Sequence, residues 1–451
     1  MASAETTPAK NSGFKQYLSV LSRRNFSLLW LGQAISWFGD SLYFISLLWL
    51  VQEMTGSKAM MGVVAVCRSV PSLFAFATGA LVDSIDKKKS MVACSLGQAL
   101  VVGMIPVMRS QGILQAWHIP VAACLLSTLG AFMYPARQAL LPQLVPQQEL
   151  VHANSLLTMV QQIVFISGYA AGGVLIAALG VMPLFTIDAL SFVAVAAAVW
   201  LLNLPARAAG DEPAGLPALP AASPSESSAR RFVTDLREGW GFIVKTPTIM
   251  MVMPLSVILN FVLAPTSVLM PSWVKDVLQK GPEVFGFLET AIMVGTIVGS
   301  MIAGMLISRF RTVVVFSLVA MGLSIGAFAA AREVWLSITT LVIMGLFNAI
   351  ANVMFMSYLQ GITPRNIMGR VFGACQTLSG MAAPAGQALA GVIGQSVPLP
   401  ILFGGPGYFV AVLSFVYFSL PAVRRAMDSA AEVLSPQTEG PAVADGAPTR
   451  A

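Results

Sequence analysis

The chain is poor in charge. Asp, Glu, Lys and Arg make up only 10% of its 451 residues, against about 25% in a soluble globular domain. With 56% of its residues hydrophobic, it has too much apolar side chain for a water-facing surface, which points to lipid as the solvent. Histidine is almost missing. His118 and His152 are the two present, and they are too isolated to build an acid–base or metal site between them. Cys67, Cys94, Cys124 and Cys375 fall singly inside apolar runs with no paired spacing. They read as small core residues, so neither a disulfide framework nor a metal site is expected. No Gly-x-x-x-x-Gly-Lys-Ser/Thr loop occurs, which argues against an ATP-driven pump. No cofactor is expected, and no enzyme. The first residues, MASAETTPAKNSGFKQYLSVLSRRN, lack the apolar core and cleavage site of a secretory signal, so the first span is expected to be retained.

What is present is a series of long apolar runs. A helix crossing about 30 Å of hydrocarbon needs roughly 20 apolar residues. Such runs occur at 26–51, 59–82, 90–108, 118–140, 154–179, 181–203, 248–273, 284–307, 312–331, 334–358, 370–395 and 401–422. The expected fold is therefore an all-α polytopic membrane protein of about 12 transmembrane helices. With the N-terminus on the cytoplasmic face, about 20 of the 26 Lys and Arg fall on that face. Both termini are then cytoplasmic, in what reads as a bacterial inner membrane. The net charge of +6 reflects this topology and does not imply a nucleic-acid partner.

The expected layout begins with a cytoplasmic tail, 1–25, and a six-helix half, 26–203. A Pro/Ala/Ser-rich linker, 204–231, cannot bury a core and reads as disordered. An interfacial helix follows at 232–247, with Phe232, Leu236, Trp240 and Ile243 at helical spacing. The second half is 248–425, and 426–451 reads as a disordered tail. The halves echo each other. GALVDSIDKKKS follows the second span and GMLISRFRTV the eighth; Gln143-Leu-Val-Pro146 closes the fourth and Gln360-Gly-Ile-Thr-Pro364 the tenth. Such a repeat, with its substrate path at the interface, is a common transporter plan.

These motifs resemble those of the major facilitator superfamily. Gly79-x-x-x-Asp83-x-x-x-Lys87-Lys88 is similar to its signature between the second and third spans, with Asp86 in place of the second glycine. PARQALLPQLVPQQELVHANSL (135–156) and IDALSF (187–192) resemble bacterial permeases of the macrolide-efflux and enterobactin-exporter type. Gly168-Tyr-Ala-Ala-Gly172-Gly173 is similar to an antiporter signature, with Tyr169 where that signature has proline. The resemblance implies two six-helix halves and alternating access. It also implies a gating loop of Gly79, Asp83, Lys87 and Lys88 that latches the halves, with Arg137 as the candidate partner of Asp83. The lysines also read as a topological anchor meeting anionic headgroups.

Ionisable residues inside spans are costly and need a partner or a water-filled path. Asp40 lies about 21 Å up the first span and Arg68 about 22 Å up the second, so an ion pair between them is expected. Two readings stand: a proton or cation site, or a permanent structural pair. Gln33, Trp37, Asp40 and Phe44 share one helical stripe that suits a cavity wall. Asn260, Phe261, Phe347, Asn348, Asn352 and Phe355 are candidates for an adaptable apolar cavity, with interhelical hydrogen bonding as the competing role for the asparagines. Asp188 reads as structural, and Glu289 as near enough to the outer end to reach water. Gly168-x-x-x-Gly172, with Gly173, and Gly295-x-x-x-Gly299 read as close-packing seams. The fourth span's VAACLLSTLGAF lacks the interior arginine that family antiporters often carry. The leading expectation is a monomeric secondary transporter. It would export small amphipathic molecules of the drug or siderophore class by proton antiport, with protons, substrate and membrane lipids as its partners. The alternatives are a lipid or lysophospholipid translocator of the same fold and a non-transporting membrane sensor.

Overall fold

The computed structural model of the chain describes residues 12–73, 86–203, 237, 240–364, 367–421 and 423–425. Among them thirteen α-helices have defined ends, and there is no strand. A short α1 (Ser12–Ser22) precedes α2 (Arg24–Thr55), α3 (Lys58–Leu73), α4 (Lys87–Ser110), α5 (His118–Leu144), α6 (Leu150–Leu179) and α7 (Met182–Trp200). The second set is α8 (Pro247–Ser272), α9 (Pro282–Ala303), α10 (Phe310–Ala330), α11 (Val334–Ile362), α12 (Met368–Ile393) and α13 (Leu399–Ser419). Ten helices are long and apolar enough to cross a membrane. The other two long ones, α3 and α12, pack against each other within the bundle. The chain is thus an all-α, multi-pass membrane protein. Linker 204–231, most of 232–239, tail 426–451, Gly79 and Asp83 lie outside the described residues.

Short turns reverse the chain between α2 and α3, α4 and α5, α5 and α6, α6 and α7, and α10 and α11, so these neighbours run antiparallel. Gly56 ends α2 with φ 58°, a left-handed conformation that suits glycine, and its N–H donates to the Gln52 carbonyl at 3.0 Å. Gly180, at φ 83°, splits α6 from α7. Packing then repeats. In the first half α4 lies on α7, α3 on α5, α2 on α6 and α4 on α5. In the second half α10 lies on α13, α9 on α11, α8 on α12 and α10 on α11. Adding six to each helix of the first set gives the second, so the two halves are copies of one plan.

The halves meet along two further pairs related in the same way, α3 with α12 and α6 with α9. Call the end where α2 begins the near end. The contacts gather at the far end, where α3 and α9 start and α6 and α12 finish. A Cβ on Gly62, five residues into α3, would lie 2.9 Å from both the Gln387 carbonyl and the Gly391 Cα. A Cβ on Gly286, five residues into α9, would lie 3.0 Å from the Gly173 nitrogen. Two glycine–glycine contacts therefore let backbone touch backbone across the seam. Ser272 Oγ adds a hydrogen bond to Gln52 Oε1 at 2.9 Å, and Trp49 stacks on Phe285 at 6.4 Å. The remaining glycines of the fifth span face α2: a Cβ on Gly172 would lie 3.4 Å from the Leu42 side chain, and one on Gly168 would collide with Ser41 and lie 3.5 Å from Phe38.

At the near end the sequence suggested a plain tail, but Ser12–Ser22 is a helix docked on the first half. Val20 is buried with Phe26, Leu144 and Ala153. Arg23 holds Glu149 through two bonds, Nε to Oε2 at 2.7 Å and Nη2 to Oε1 at 3.0 Å. Asp86, where the family signature has glycine, is the N-cap of α4 and accepts from the Lys89 N–H at 3.1 Å. It offsets the three lysines that oppose the helix dipole there. Lys88 Nζ donates to the Leu202 carbonyl at 2.7 Å and sits over the Trp200 ring, capping the end of α7. Ile243 of the expected interfacial helix is buried with Ile249, Leu359 and Val371. That segment grips the base of the second half as well as leaving Trp240 exposed.

Two predictions follow from these contacts. Substituting Gly286→Leu forces α6 and α9 apart at the far end. Spin labels on Gln111 and Glu333, in far-end loops of the two halves, then move apart; an unchanged distance contradicts the seam. The Arg23 bond holds the Glu149 carboxyl below its ordinary value of 4.5. Docking of α1 is therefore strengthened above that value and weakens as the pH falls through the lowered one. Amide exchange in 12–22 is expected to rise only in that acidic window, and to be raised at neutral pH by Glu149→Gln.

Candidate functional site

The polar residues of the first half converge on a pocket of about 200 Å³. From α2 it takes Gln33, Ser36, Trp37 and Asp40, from α5 Tyr134 and Arg137. Arg137 Nη1 donates to Gln33 Oε1 at 2.9 Å, and the guanidinium lies 5.0 Å from the centre of the Trp37 ring and 5.4 Å from that of Tyr134. Arg137 is thus engaged inside the half, about 10 Å in from the end of α5. The sequence placed it at the membrane exit as the partner of Asp83. It was already legible as a pocket residue, since Gly130, Met133, Tyr134 and Arg137 follow i, i+3, i+4, i+7 spacing and all line this cavity.

Behind Asp40 stands a second carboxylate. Asp188 of α7 is fully buried; its Oδ1 accepts from Ser191 Oγ at 3.3 Å and its Oδ2 has no partner. Gly39 makes this possible: a Cβ there would lie 2.9 Å from the Ser191 Cβ and collide with Asp188. The bare backbone lets α2 settle on α7 and brings the two aspartates within Coulombic range. The Tyr43 hydroxyl, also buried and unpartnered, lies within range of both. Sequence alone gave no sign that Asp188 faces Asp40, because the contact is between helices far apart in the chain.

The expected ion pair between Asp40 and Arg68 is not formed. Among the described residues the one carboxylate–cation contact within 4.0 Å is Arg23 with Glu149. Helices α2 and α3 touch over little of their length, α3 packing instead on α5 and α12. The Arg68 guanidinium sits over the Phe44 ring at 4.5 Å, a cation–π contact. Phe44 in turn packs against Tyr169 at 5.4 Å, the residue that replaces proline in the antiporter-like run. The stripe on α2 therefore divides: Gln33, Trp37 and Asp40 face the pocket, and Phe44 faces the seam between halves. Glu289 joins this seam. It lies about 10 Å from the start of α9, within Coulombic range of Arg68 and Tyr169, where the sequence suggested a residue reaching outer water.

The second half holds a cavity of about 330 Å³ with no Asp, Glu, Lys, Arg or His on its wall. Asn260, Asn348, Asn352, Phe355 and Gln387 line it. Asn260 Nδ2 donates to the Ser256 carbonyl at 2.9 Å, and Ser69 of the other half donates to Gln387 Oε1 at 3.1 Å. Two aromatic candidates are not among its lining residues. The Phe261 carbonyl carbon lies 3.0 Å from where a Gly386 Cβ would be, so this turn of α8 is pressed on α12. Phe347 packs edge-on against the outward-facing Phe316 at 5.4 Å.

Comparisons with known proteins agree with this architecture. A family model described as "Transmembrane secretion effector" matches residues 16–445. The chain is 25% identical over 397 residues to the multidrug efflux pump Tap of Mycolicibacterium fortuitum, covering 86% of this chain and 93% of that one. It is 22% identical over 409 residues to macrolide efflux protein A of Streptococcus pyogenes, covering 89% and 96%. In fold it is similar to a point mutant of the nucleoside transporter NupG, at a TM-score of 0.68 and 13% identity over 87% of this chain and 99% of that one. A bacterial homologue of the lysosomal transporter Spinster gives a TM-score of 0.61, at 13% identity over 94% and 95%. The chain belongs to the transmembrane secretion effector family of the major facilitator superfamily and is a membrane transporter, not an enzyme.

Proposed function

We propose that the chain exports small amphipathic organic molecules, of the drug or siderophore class, from the cytoplasm in exchange for protons. The observation that carries this reading is the separation of charge from apolar volume. Asp40, Asp188 and Arg137 are grouped in the first half, and the second half holds a roomy cavity with no charged side chain on its wall. Asp40 is the proton carrier, open to the pocket, with Asp188 behind it as a second carboxylate. With Asp188 within Coulombic range of Asp40, the pocket offers a proton two neighbouring carboxylates. Arg137, held by Gln33 and Trp37, sets the field of that pocket. The names of the relatives, a multidrug pump and a macrolide efflux protein, support export of drug-like substrates.

The direction follows from orientation. With most of the Lys and Arg on the near side, that side is cytoplasmic, and a seam gathered at the far end leaves both cavities facing inward. A monomer suffices, since both cavities are built from one chain. In the cycle, the halves rock about the α3–α12 and α6–α9 seams. In this account Lys87, Lys88, Gly79 and Asp83 form the loop that latches the near end when the far end opens. A second reading, lysolipid translocation, is favoured by the apolar wall of the second cavity, which suits an acyl chain.

Everted membrane vesicles energised by respiration test the reading, with ethidium and N-phenyl-1-naphthylamine as probes. The expected result is accumulation of a probe that collapses with a protonophore and falls at least about tenfold in Asp40→Asn, because a neutral amide cannot carry the proton. Uptake indifferent to the protonophore, or intact in Asp40→Asn, contradicts proton antiport through Asp40. Movement of labelled lysophosphatidylglycerol in place of either probe moves the chain to the second reading.

A further inference from the structure

The two halves follow one plan, yet one contact of the first half is largely lost in the second. Helix α2 lies closely along α7, whereas its counterpart α8 touches α13 over a small area. The cause is in the sequence. Gly32 and Gly39 let α2 approach α7, a Cβ at Gly32 already being 3.0 Å from the Ala198 Cβ. Helix α8, PTIMMVMPLSVILNFVLAPTSVLMPS, has no glycine and carries prolines at 254, 265 and 271 inside it. Gly404 and Gly407 of α13 face α10, where a Gly407 Cβ would lie 2.7 Å from the Gly326 nitrogen. At the far end α8 is pinned, because Trp273 just beyond it is buried against Phe328 and Phe403 at 4.9 and 5.2 Å. Nearer the cytoplasmic end it stands off.

The space this opens is the apolar branch of the second cavity. Val314, Leu318 and Met321 of α10 line it, with Phe310 and Phe418 towards the near end. These are helices packed behind α8 and α11, so the branch runs into the half from the central face. Its mouth carries Asn348 and Asn352, one turn apart on α11. Both side chains are exposed, and neither has a hydrogen bond to protein among the described residues. An asparagine amide offers two donors and an acceptor. It binds hydroxyl, ester or amide groups and offers no counter-ion. A charge entering this cavity would be desolvated without a partner, which is costly.

We propose that the branch takes the apolar moiety of an uncharged amphiphile, with Asn348 and Asn352 binding its unionised polar end. This rests on the reading of the second cavity as the substrate site and names the substrate class: an aliphatic or aromatic body with a neutral, hydrogen-bonding head. Met321 adds a flexible wall that adapts to different bodies. The two halves then differ in task because of glycine placement: close packing keeps α2 against α7 and its aspartates together, and loose packing makes room behind α8.

A matched pair of probes tests this: decyl β-D-glucoside and decyltrimethylammonium, with the same chain and differing in the charge of the head. Binding to the full chain in lipid nanodiscs is measured below the micellar concentration, with empty discs subtracted. The glucoside is expected to bind at least about tenfold tighter than the ammonium, since the site offers hydrogen bonds and no anion. Leu318→Trp, which fills the branch, is expected to weaken the glucoside by a similar factor. Asn352→Asp, a change at the open mouth that does not disturb packing, is expected to reverse the order of the two probes. Equal or tighter binding of the ammonium to the unmodified chain overturns the proposal, as does glucoside binding unchanged in Leu318→Trp. The binding assay needs no proton gradient. Loss of glucoside binding in Leu318→Trp with no protonophore-sensitive uptake in vesicles keeps the pocket and removes the export reading. Proton-driven uptake with binding indifferent to Leu318→Trp does the reverse.

Discussion

Hydrocarbon solvates neither charge nor free backbone, and that constraint shapes most of this molecule. Every ionisable group within a span must face protein or water, so the few that occur become markers of the interior. Asp40, Asp188 and Arg137 collect in one half, and Arg68 and Glu289 at the seam. None is held by a direct ion pair of opposite charges within 4.0 Å among the described residues. They are held by rings, amides and hydroxyls instead: Arg68 by Phe44, Arg137 by Gln33 and Trp37, Asp188 by Ser191. Such partners are weaker than a buried carboxylate–guanidinium pair. They hold each group without pairing it to an opposite charge.

Without a hydrophobic drive between helices in lipid, close packing decides where helices touch. Gly62 with Gly391 and Gly173 with Gly286 set the seam at the far end. Gly32 and Gly39 seat α2 on α7, and the lack of glycine in α8 leaves a cavity. Glycine, present or missing, thus separates the close α2–α7 contact from the open side of α8.

Much of this was legible in the sequence. Ten of the twelve expected apolar runs coincide with helices long and apolar enough to cross a membrane, and the ends of most agree within a few residues, as with 118–140 for His118–Leu144 and 334–358 for Val334–Ile362. The six-plus-six repeat was visible in the paired loop motifs. What failed was azimuth. Counting residues places Asp40 and Arg68 at equal depth, but the rotation of each helix is set by its neighbours, and α3 turns Arg68 to Phe44. For the same reason Phe261 and Phe347, expected as cavity walls, are not among the residues that line the cavity. Arg137 lines the pocket with Tyr134, as their shared helical face allows, and its expected partner Asp83 lies outside the described residues. The helical state of Ser12–Ser22 was hidden because its docking depends on Glu149, far along the chain.

The central claim is that occupancy of the second half changes protonation in the first. The direct measurement is proton release on substrate binding, followed with a pH indicator in a weakly buffered solution of the purified chain. Decyl β-D-glucoside and N-phenyl-1-naphthylamine, both uncharged, are added in turn. Binding linked to Asp40 releases a proton from the intact chain and none from Asp40→Asn, as linkage between two sites requires. Saturable binding of either probe with no proton released, or with equal release from Asp40→Asn, contradicts the coupling.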